Sequence, residues 1–471
     1  MSKLSGGIFW SAIERFSSQG ISFLITLILA RLVSPESYGL IVLIQVFLSI
    51  SQVFIDGGFS NALVQKIDRN DKDFSTAFIF NLFIAIVLYF IIYIISPFIA
   101  AFYDNDKLIL ITRVLALNLI FSSICLVHKA KLIIDLDFKT QAKASLISVA
   151  LSGILGIFLA YNGFEVWALV VQSLLNQVLN SFLLFILTKI HFKLEFCVES
   201  FRSLFKFGSK LLVANLITNI FINLYSLIIG KRYSKSDLAF YNRAYSLIQF
   251  PSTNIEAIFN RTFYPIECEL QNDLNSLKIT FYKFLHLSCF VIFPIIIFIC
   301  VLSRPLVSFL LTDTWLPTAK YLSILGLNFM WFPLVDQLDM LLNVIGKTDL
   351  TLKSVTYRRI ASLVIMGLTI NYNIEIICWG LVISMLTEIL ISWYFVHKCL
   401  DISLISIFKS ISDLIITGLF LSLILFGISL LDMSPILILI LGFISMFTVF
   451  TFFCYIFKMN EVQYLKQLIL K

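Results

Sequence analysis

The sequence predicts an all-α polytopic membrane protein with about fourteen transmembrane helices, as two six-helix lobes related by an internal repeat plus two extra C-terminal helices. Three observations carry this. Of 471 residues, 59% are hydrophobic and 13% charged, with 47 Phe, a composition outside the range of water-soluble domains. Apolar runs have the length of a bilayer-crossing helix and lack the alternation of a barrel strand. Short patterns also recur about 200 residues apart, as expected of a duplicated unit.

The apolar windows are 10–30, 39–55, 74–97, 108–127, 144–161, 166–188, 207–229, 240–263, 279–302, 320–343, 355–371, 375–396, 407–428 and 434–457. The eighth holds Asn242, Arg243, Gln249, Pro251, Asn254, Glu256 and Arg261, so it is a membrane helix only where protein or water surrounds it. With the N-terminus inside, 23 Lys and Arg fall in cytoplasmic segments and seven in the opposite ones. That asymmetry predicts both termini in the cytoplasm.

The net charge of +7 is dispersed through short loops, which is a topology signal and not a nucleic-acid patch. Eight cysteines include no CxxC pair, so neither a disulfide framework nor a zinc site is indicated. The histidines at 128, 191, 286 and 397 lie near span ends, and no HExxH, GxSxG or P-loop pattern occurs. No catalytic group, metal or cofactor is expected. The first span is too long and polar for a cleaved leader and is expected to remain.

The repeat appears in three places. Arg31–Leu40 lies over Arg232–Tyr241, Ile55–Phe59 over Ile255–Phe259, and Val166–Val170 over Cys378–Val382, which superposes Asn176 on Glu388. Spans 1, 2 and 6 then pair with 7, 8 and 12, giving an N-terminal lobe at 1–195, a C-terminal lobe at 196–400, and two further spans with a cytoplasmic tail at 401–471.

The first span carries charges that a plain anchor lacks. Glu14, Ser18, Ser22 and Thr26 form one helical row, and Ser11, Arg15 and Gln19 the next. An ionised group at membrane depth costs roughly 3 kcal/mol or more and tends to face a bundle interior or watery cavity; the alternative is that Glu14 and Arg15 snorkel to the nearby interface. Arg15, Lys210 and Arg261 fall toward the cytoplasmic ends of spans 1, 7 and 8, and Arg243 toward the outer end of span 8. If the repeat brings those spans together, the first three cations suit a phosphate-bearing anion, since guanidinium forks hold two phosphate oxygens. Lys210 and Arg261 are alternatively loop-edge topology charges.

Amide rows occur at Gln172, Asn176 and Asn180 on span 6 and at Asn215, Asn219 and Asn223 on span 7. Such rows bind sugars or neighbouring helices, and for span 6 helix packing is the favoured reading. Glu388, Asp336 and Asp339 interrupt apolar windows, and a carboxylate in lipid surroundings can titrate near neutrality, as proton coupling requires. Structural hydrogen bonding accounts equally well for Asp339. The candidate substrate contacts are thus Arg15, Arg261, Lys210, Arg243, Glu14, Gln19, Asn215 and Asn219, and the candidate coupling-ion residues Glu388, Asp336, Asp339 and Glu14.

Glu14-Arg15-Phe-Ser-Ser-Gln19, Leu29-Ala-Arg31-Leu-Val-Ser-Pro35-Glu-Ser-Tyr-Gly39, Phe54-Ile-Asp56-Gly-Gly-Phe59 and Ala62-Leu-Val-Gln65 resemble the N-terminal signature of bacterial polysaccharide-export flippases of the Wzx type, in the colanic-acid-exporter-like branch. The resemblance is strongest over residues 8–65 and is echoed at Tyr264-Pro265. It implies the multidrug/oligosaccharidyl-lipid/polysaccharide exporter fold, in which two lobes surround a cavity of alternating access. The implied substrate is an undecaprenyl-pyrophosphate-linked oligosaccharide, moved from the inner to the outer leaflet of the bacterial cytoplasmic membrane. The implied partners are that lipid, the bilayer, a saccharide polymerase and other assembly proteins, with no nucleic acid. The motif marks the family more specifically than any substrate-contacting residue. Two other readings stay open: a multidrug or cation antiporter of the same fold, against which the expected excess of cavity cations over deep carboxylates argues, and a non-transporting scaffold for saccharide assembly.

Overall fold

The computed structural model describes the backbone of residues 2–66, 68–135, 137–188 and 195–457, and within it the side chains of all but 2–16, 61, 65, 207, 210, 211 and 214. All regular structure among the described residues is helical. Nine described helices are long and apolar enough to cross a membrane. Large side chains such as Phe83, Phe98 and Leu423 stand more than 60% exposed, which suits a surface solvated by lipid.

The chain forms two compact units, Met1–Ala239 and Phe240–Lys471. The first holds α1 (Ser2–Leu32), α2 (Pro35–Asp56), α3 (Phe59–Gln65), α4 (Asp71–Phe102), α5 (Lys107–Ile134), α6 (Phe138–Tyr161), α7 (Val166–Leu187) and α8 (Val198–Arg232). The closest pairs are α4 with α5, α6 with α7, and α1 with α6. The repeat set the division at 195, but α8 packs on α2, α3 and α4. Its docking is visible at Gly58, where φ is +72° and an added Cβ would stand 2.5 Å from the Gly208 carbonyl oxygen. Two backbones meet there, so the Gly-Gly of the family-like motif ends α2, turns the chain and lets α8 approach.

The turns before α2 and after α8 reproduce each other. Ser34 Oγ caps α2 by accepting from Ser37 N at 3.4 Å, and Ser234 Oγ accepts from Asp237 N at 3.1 Å, as helix N-caps do. These serines are 200 positions apart, close to the repeat offset. Equivalence is weaker at the third place. The helices carrying Trp167 and Trp379 begin at Val166 and Ile374, so Trp379 lies a turn deeper into its helix, and the helix starts do not superpose Asn176 on Glu388. Gly39 takes no side chain, because a Cβ there would lie 2.0 Å from the Lys235 carbonyl oxygen.

The second unit comprises most of α9 (Lys235–Glu269), α10 (Leu274–Val301), α11 (Ser303–Leu310), a 3-10 turn at Asp313–Trp315, α12 (Pro317–Met330), α13 (Phe332–Val344), α14 (Thr348–Thr369), α15 (Ile374–Leu400), α16 (Leu404–Ser410), α17 (Ser412–Ser429) and α18 (Pro435–Ile456). The span expected at 320–343 is two helices: Trp331 interrupts it, and Pro333 opens α13, where its missing N–H removes no helical hydrogen bond. α10 packs on α12, α13 and α17. It is the core helix, with 61% of its apolar window buried against 22% for α18. Its Phe281 and Phe293 are fully buried, as are Leu334 and Leu341 of α13 and Leu421 of α17.

Candidate functional site

The second unit holds a chain of ionic side chains inside otherwise apolar helices. Each contributing helix uses the three- or four-residue spacing that keeps side chains on one face. α14 carries Ser354, Arg358 and Ser362; α15 carries Glu388 and Ser392; α9 carries Glu256 and Asn260; α13 carries Asp336 and, one turn on, Asp339. Arg358 Nη2 donates to Asp339 Oδ2 at 2.5 Å. Its Nη1 stands 3.9 Å from Glu388 Oε2, while Arg359 Nη1 lies 4.0 Å from Glu388 Oε1. Ser362 donates to Glu388 at 3.4 Å, and Ser392 to Asp339 at 3.5 Å.

Burial decides how strongly these charges are coupled. The Arg358 side chain is 7% exposed, Glu388 18% and Asp339 22%, whereas Arg359 is 39% exposed. Water screens Arg359 far more than Arg358, so Arg358 is the main counter-charge to both carboxylates. Asp336 accepts from Asn260 Nδ2 at 2.5 Å. Glu256, 1% exposed, lies beside Asp336 and Gln337, and its carboxylate oxygens make no well-formed hydrogen bond. Four carboxylates thus stand near two guanidinium groups. Among the described residues of this unit, buried cations do not outnumber buried carboxylates.

The structure brings Asp339 and Glu388 together through Arg358 and sets Asp336 one turn from Asp339. Arg358 and Glu256 are the residues the sequence reading missed. Arg358 lies at the start of the 355–371 window, where a cation reads as a topology charge, yet it sits in the third turn of α14. The signal was present in the Ser354, Arg358, Ser362 row. Among the other expected residues, Glu14, Arg15 and Lys210 have side chains outside the described residues. Arg261 is exposed on α9. Arg243 is buried with its guanidinium 5.5 Å from the Trp315 ring centre. Eighteen helical residues separate Arg243 from Arg261, about 27 Å at 1.5 Å per residue, so the two do not hold one pyrophosphate together.

In the first unit, α2 and α8 line a recess of about 480 Å³ with Ser49, Gln52, Asp56, Asn215, Thr218 and Asn219. Asn219 Oδ1 accepts from Ser49 at 3.2 Å and from Asn223 at 2.9 Å. Asn215 is exposed at its rim, and Gln19 is half-buried on α1. Among the described residues no group of three His, Cys, Asp or Glu is placed to hold a metal.

Taken together, the helices and their buried polar groups define a multi-pass helical membrane protein. The fold is similar to that of the lipid II flippase MurJ in its inward closed conformation, with TM-score 0.77 over 96% of this chain and 99% of that one at 14% identity. It is also similar to an inward-facing multidrug resistance transporter of the MATE family, with TM-score 0.63 over 84% of this chain and 98% of that one at 16% identity. The family model described as polysaccharide biosynthesis protein matches residues 28–320, more than half of the chain, and the chain belongs to that family. Relatives include the teichuronic acid biosynthesis protein TuaB of Bacillus subtilis, 24% identical over 81% of this chain and 79% of that protein. The lipopolysaccharide biosynthesis protein WzxC of Escherichia coli is 23% identical over 69% of this chain and 67% of its own length.

Proposed function

We propose that this protein is a flippase that carries an undecaprenyl-pyrophosphate-linked oligosaccharide from the inner to the outer leaflet of the bacterial cytoplasmic membrane, by alternating access coupled to an ion. The observation that carries the reading is membership of the polysaccharide biosynthesis family on a fold shared with a lipid II flippase. Relatives named for teichuronic acid and lipopolysaccharide biosynthesis support a saccharide cargo. Both termini lie in the cytoplasm, and cysteines placed after Lys107 and Asp432 react with impermeant reagents from outside. A saccharide polymerase and other assembly proteins are its further partners, tested by co-purification from native membranes.

Anion binding falls to Arg15 and Arg261, with Lys210 assisting, because a planar guanidinium holds two phosphate oxygens while staying charged. Coupling falls to the ionic chain of the second unit. Arg358 neutralises Asp339 at hydrogen-bonding distance, and this leaves Glu388, at 3.9 to 4.0 Å from two guanidinium groups, as the less compensated of the two carboxylates that share Arg358. A proton or sodium ion taken up there changes the net charge of a poorly hydrated cluster by one, which shifts the balance between conformations that hydrate it differently. Those carboxylates favour ion coupling over a cationic drug as cargo, since Asp336, Asp339 and Glu388 already have an amide or guanidinium partner. Deletion of the gene, followed by mass spectrometry of membrane lipids, tests the proposal: lipid-linked oligosaccharide accumulates in the cytoplasmic leaflet if the reading holds. Unchanged lipid pools with normal surface polysaccharide would reject it.

A further inference from the structure

The first unit contains a second recess, of about 270 Å³, formed by α2, α5 and α7 and sharing Ser49 and Gln52 with the larger one. Its polar wall consists of Gln45, Gln52, Asn118, Asn176 and Gln177, with Ser49 and Ser173 between them. No charged side chain lines it among the described residues. Polar groups at membrane depth are costly and are retained where they have partners, yet two of these are not satisfied within the protein. Asn118 gives its Nδ2 to Ser173 Oγ at 3.2 Å, while its Oδ1 is buried without a partner. Asn176 Oδ1 is likewise buried without a partner. Gln52 Oε1 accepts from Ser122 at 2.7 Å, leaving its amide N–H groups to donate.

Helix packing does not account for this arrangement. Gln172, one turn from Asn176, does pack against the neighbouring helix: a Cβ on Gly156 of α6 would stand 2.7 Å from the Gln172 Cβ. Asn176 instead lines the recess. A neutral wall that offers both donors and acceptors, with carbonyl oxygens awaiting donors, matches the hydroxyl groups of a sugar, each of which both donates and accepts. A cation would find no carboxylate there, and an acyl chain would leave the amides unpaired.

We infer that this amide-lined recess of the first unit, at Gln45, Gln52, Asn118, Asn176 and Gln177, is a carbohydrate subsite that holds neutral sugar residues of the cargo. The inference rests on the flippase reading above and assigns its sugar recognition to groups other than the cationic residues. Binding to the full-length protein in lipid nanodiscs tests it with two probes: undecaprenyl pyrophosphate, and the lipid-linked oligosaccharide extracted from cells lacking the gene. The wild type binds the sugar-bearing lipid about tenfold more tightly than the bare one, as two or three extra neutral hydrogen bonds allow. Gln52→Leu and Asn176→Leu bind the two lipids within about twofold of each other, with bare-lipid affinity retained as the measure of folding. Gln172→Leu keeps the tenfold preference. Variants at 52 and 176 that keep the full preference would overturn the subsite while leaving the flippase reading intact. A wild type that binds neither lipid would overturn both.

Discussion

Arg358 of α14 donates to Asp339 of α13 at 2.5 Å, with its guanidinium almost entirely withdrawn from solvent. Removing one member of a buried pair leaves the other charge uncompensated, which costs about 3–5 kcal/mol. Arg358→Ala and Asp339→Ala should therefore each lower the melting temperature of the purified protein sharply, whereas the double variant should recover most of the loss. Additive losses in the double-mutant cycle would mean that the two side chains are not energetically coupled.

Glu388 stands apart from Asp339 because neither guanidinium approaches it closer than 3.9 Å. The charge-neutral Glu388→Gln retains the Ser362 contact in shape but removes the ionisable group. Its transport in proteoliposomes is expected to become indifferent to an imposed proton or sodium gradient, with the protein folding normally. Gradient-stimulated transport at the wild-type level would exclude Glu388 as the coupling residue.

Gly39 is packed beneath the Lys235 carbonyl, which a Cβ would approach to 2.0 Å. Backbone cannot move aside as a flexible side chain can, so Gly39→Ala should destabilise by about 1–3 kcal/mol or more. Gly20, with nothing within 4 Å of an added Cβ, serves as the control. Thermal unfolding of Gly39→Ala and Gly20→Ala in the same detergent separates packing from helix propensity, and equal stability of the two would contradict the close approach.

Glu165, at the start of α7, accepts from Ser37 Oγ at 2.7 Å and from Ser34 Oγ at 2.8 Å. These two hydrogen bonds, Ser37 first, hold its carboxyl below the usual carboxylate range against a smaller opposing effect of burial. A depressed folded-state value contributes stability above the unfolded value of 4.5, and that stability is lost as pH falls through the lower folded value. The site is solvent-exposed, so the effect is of order 1 kcal/mol or less. Glu165→Gln should lower the melting temperature slightly at pH 7, by a deficit that shrinks as the pH is lowered to 3. A deficit that persisted unchanged at pH 3 would show that the carboxylate charge is irrelevant there.

Helix-forming segments could be read from composition because lipid-facing surfaces demand continuous apolar length, and α4, α10, α17 and α18 satisfy that plainly. The repeat was legible where it is carried by short caps, at Ser34 and Ser234, and less so within helices, where apolar residues substitute freely and a one-turn slip goes unnoticed. Asp339 and Glu388 announced themselves as isolated charges in apolar windows. Arg358 did not, because a cation beside the start of a span looks the same in sequence whether it serves topology or pairs with a carboxylate on another helix. The break at Trp331 and the Asn118 and Asn176 recess depend on which faces meet across the bundle. Sequence spacing alone does not determine that.

The central claim is that this chain itself moves a lipid-linked saccharide across a bilayer. Reconstitution of the purified protein into proteoliposomes loaded with lipid-linked oligosaccharide, with a membrane-impermeant lectin or glycosidase added outside, measures this directly. Beyond the fraction accessible at once, the account predicts a time-dependent, protein-dependent increase in accessible saccharide that Arg15→Ala combined with Arg261→Ala suppresses. Saccharide accessibility that stays at the protein-free level, under proton and sodium gradients of either direction, would contradict it.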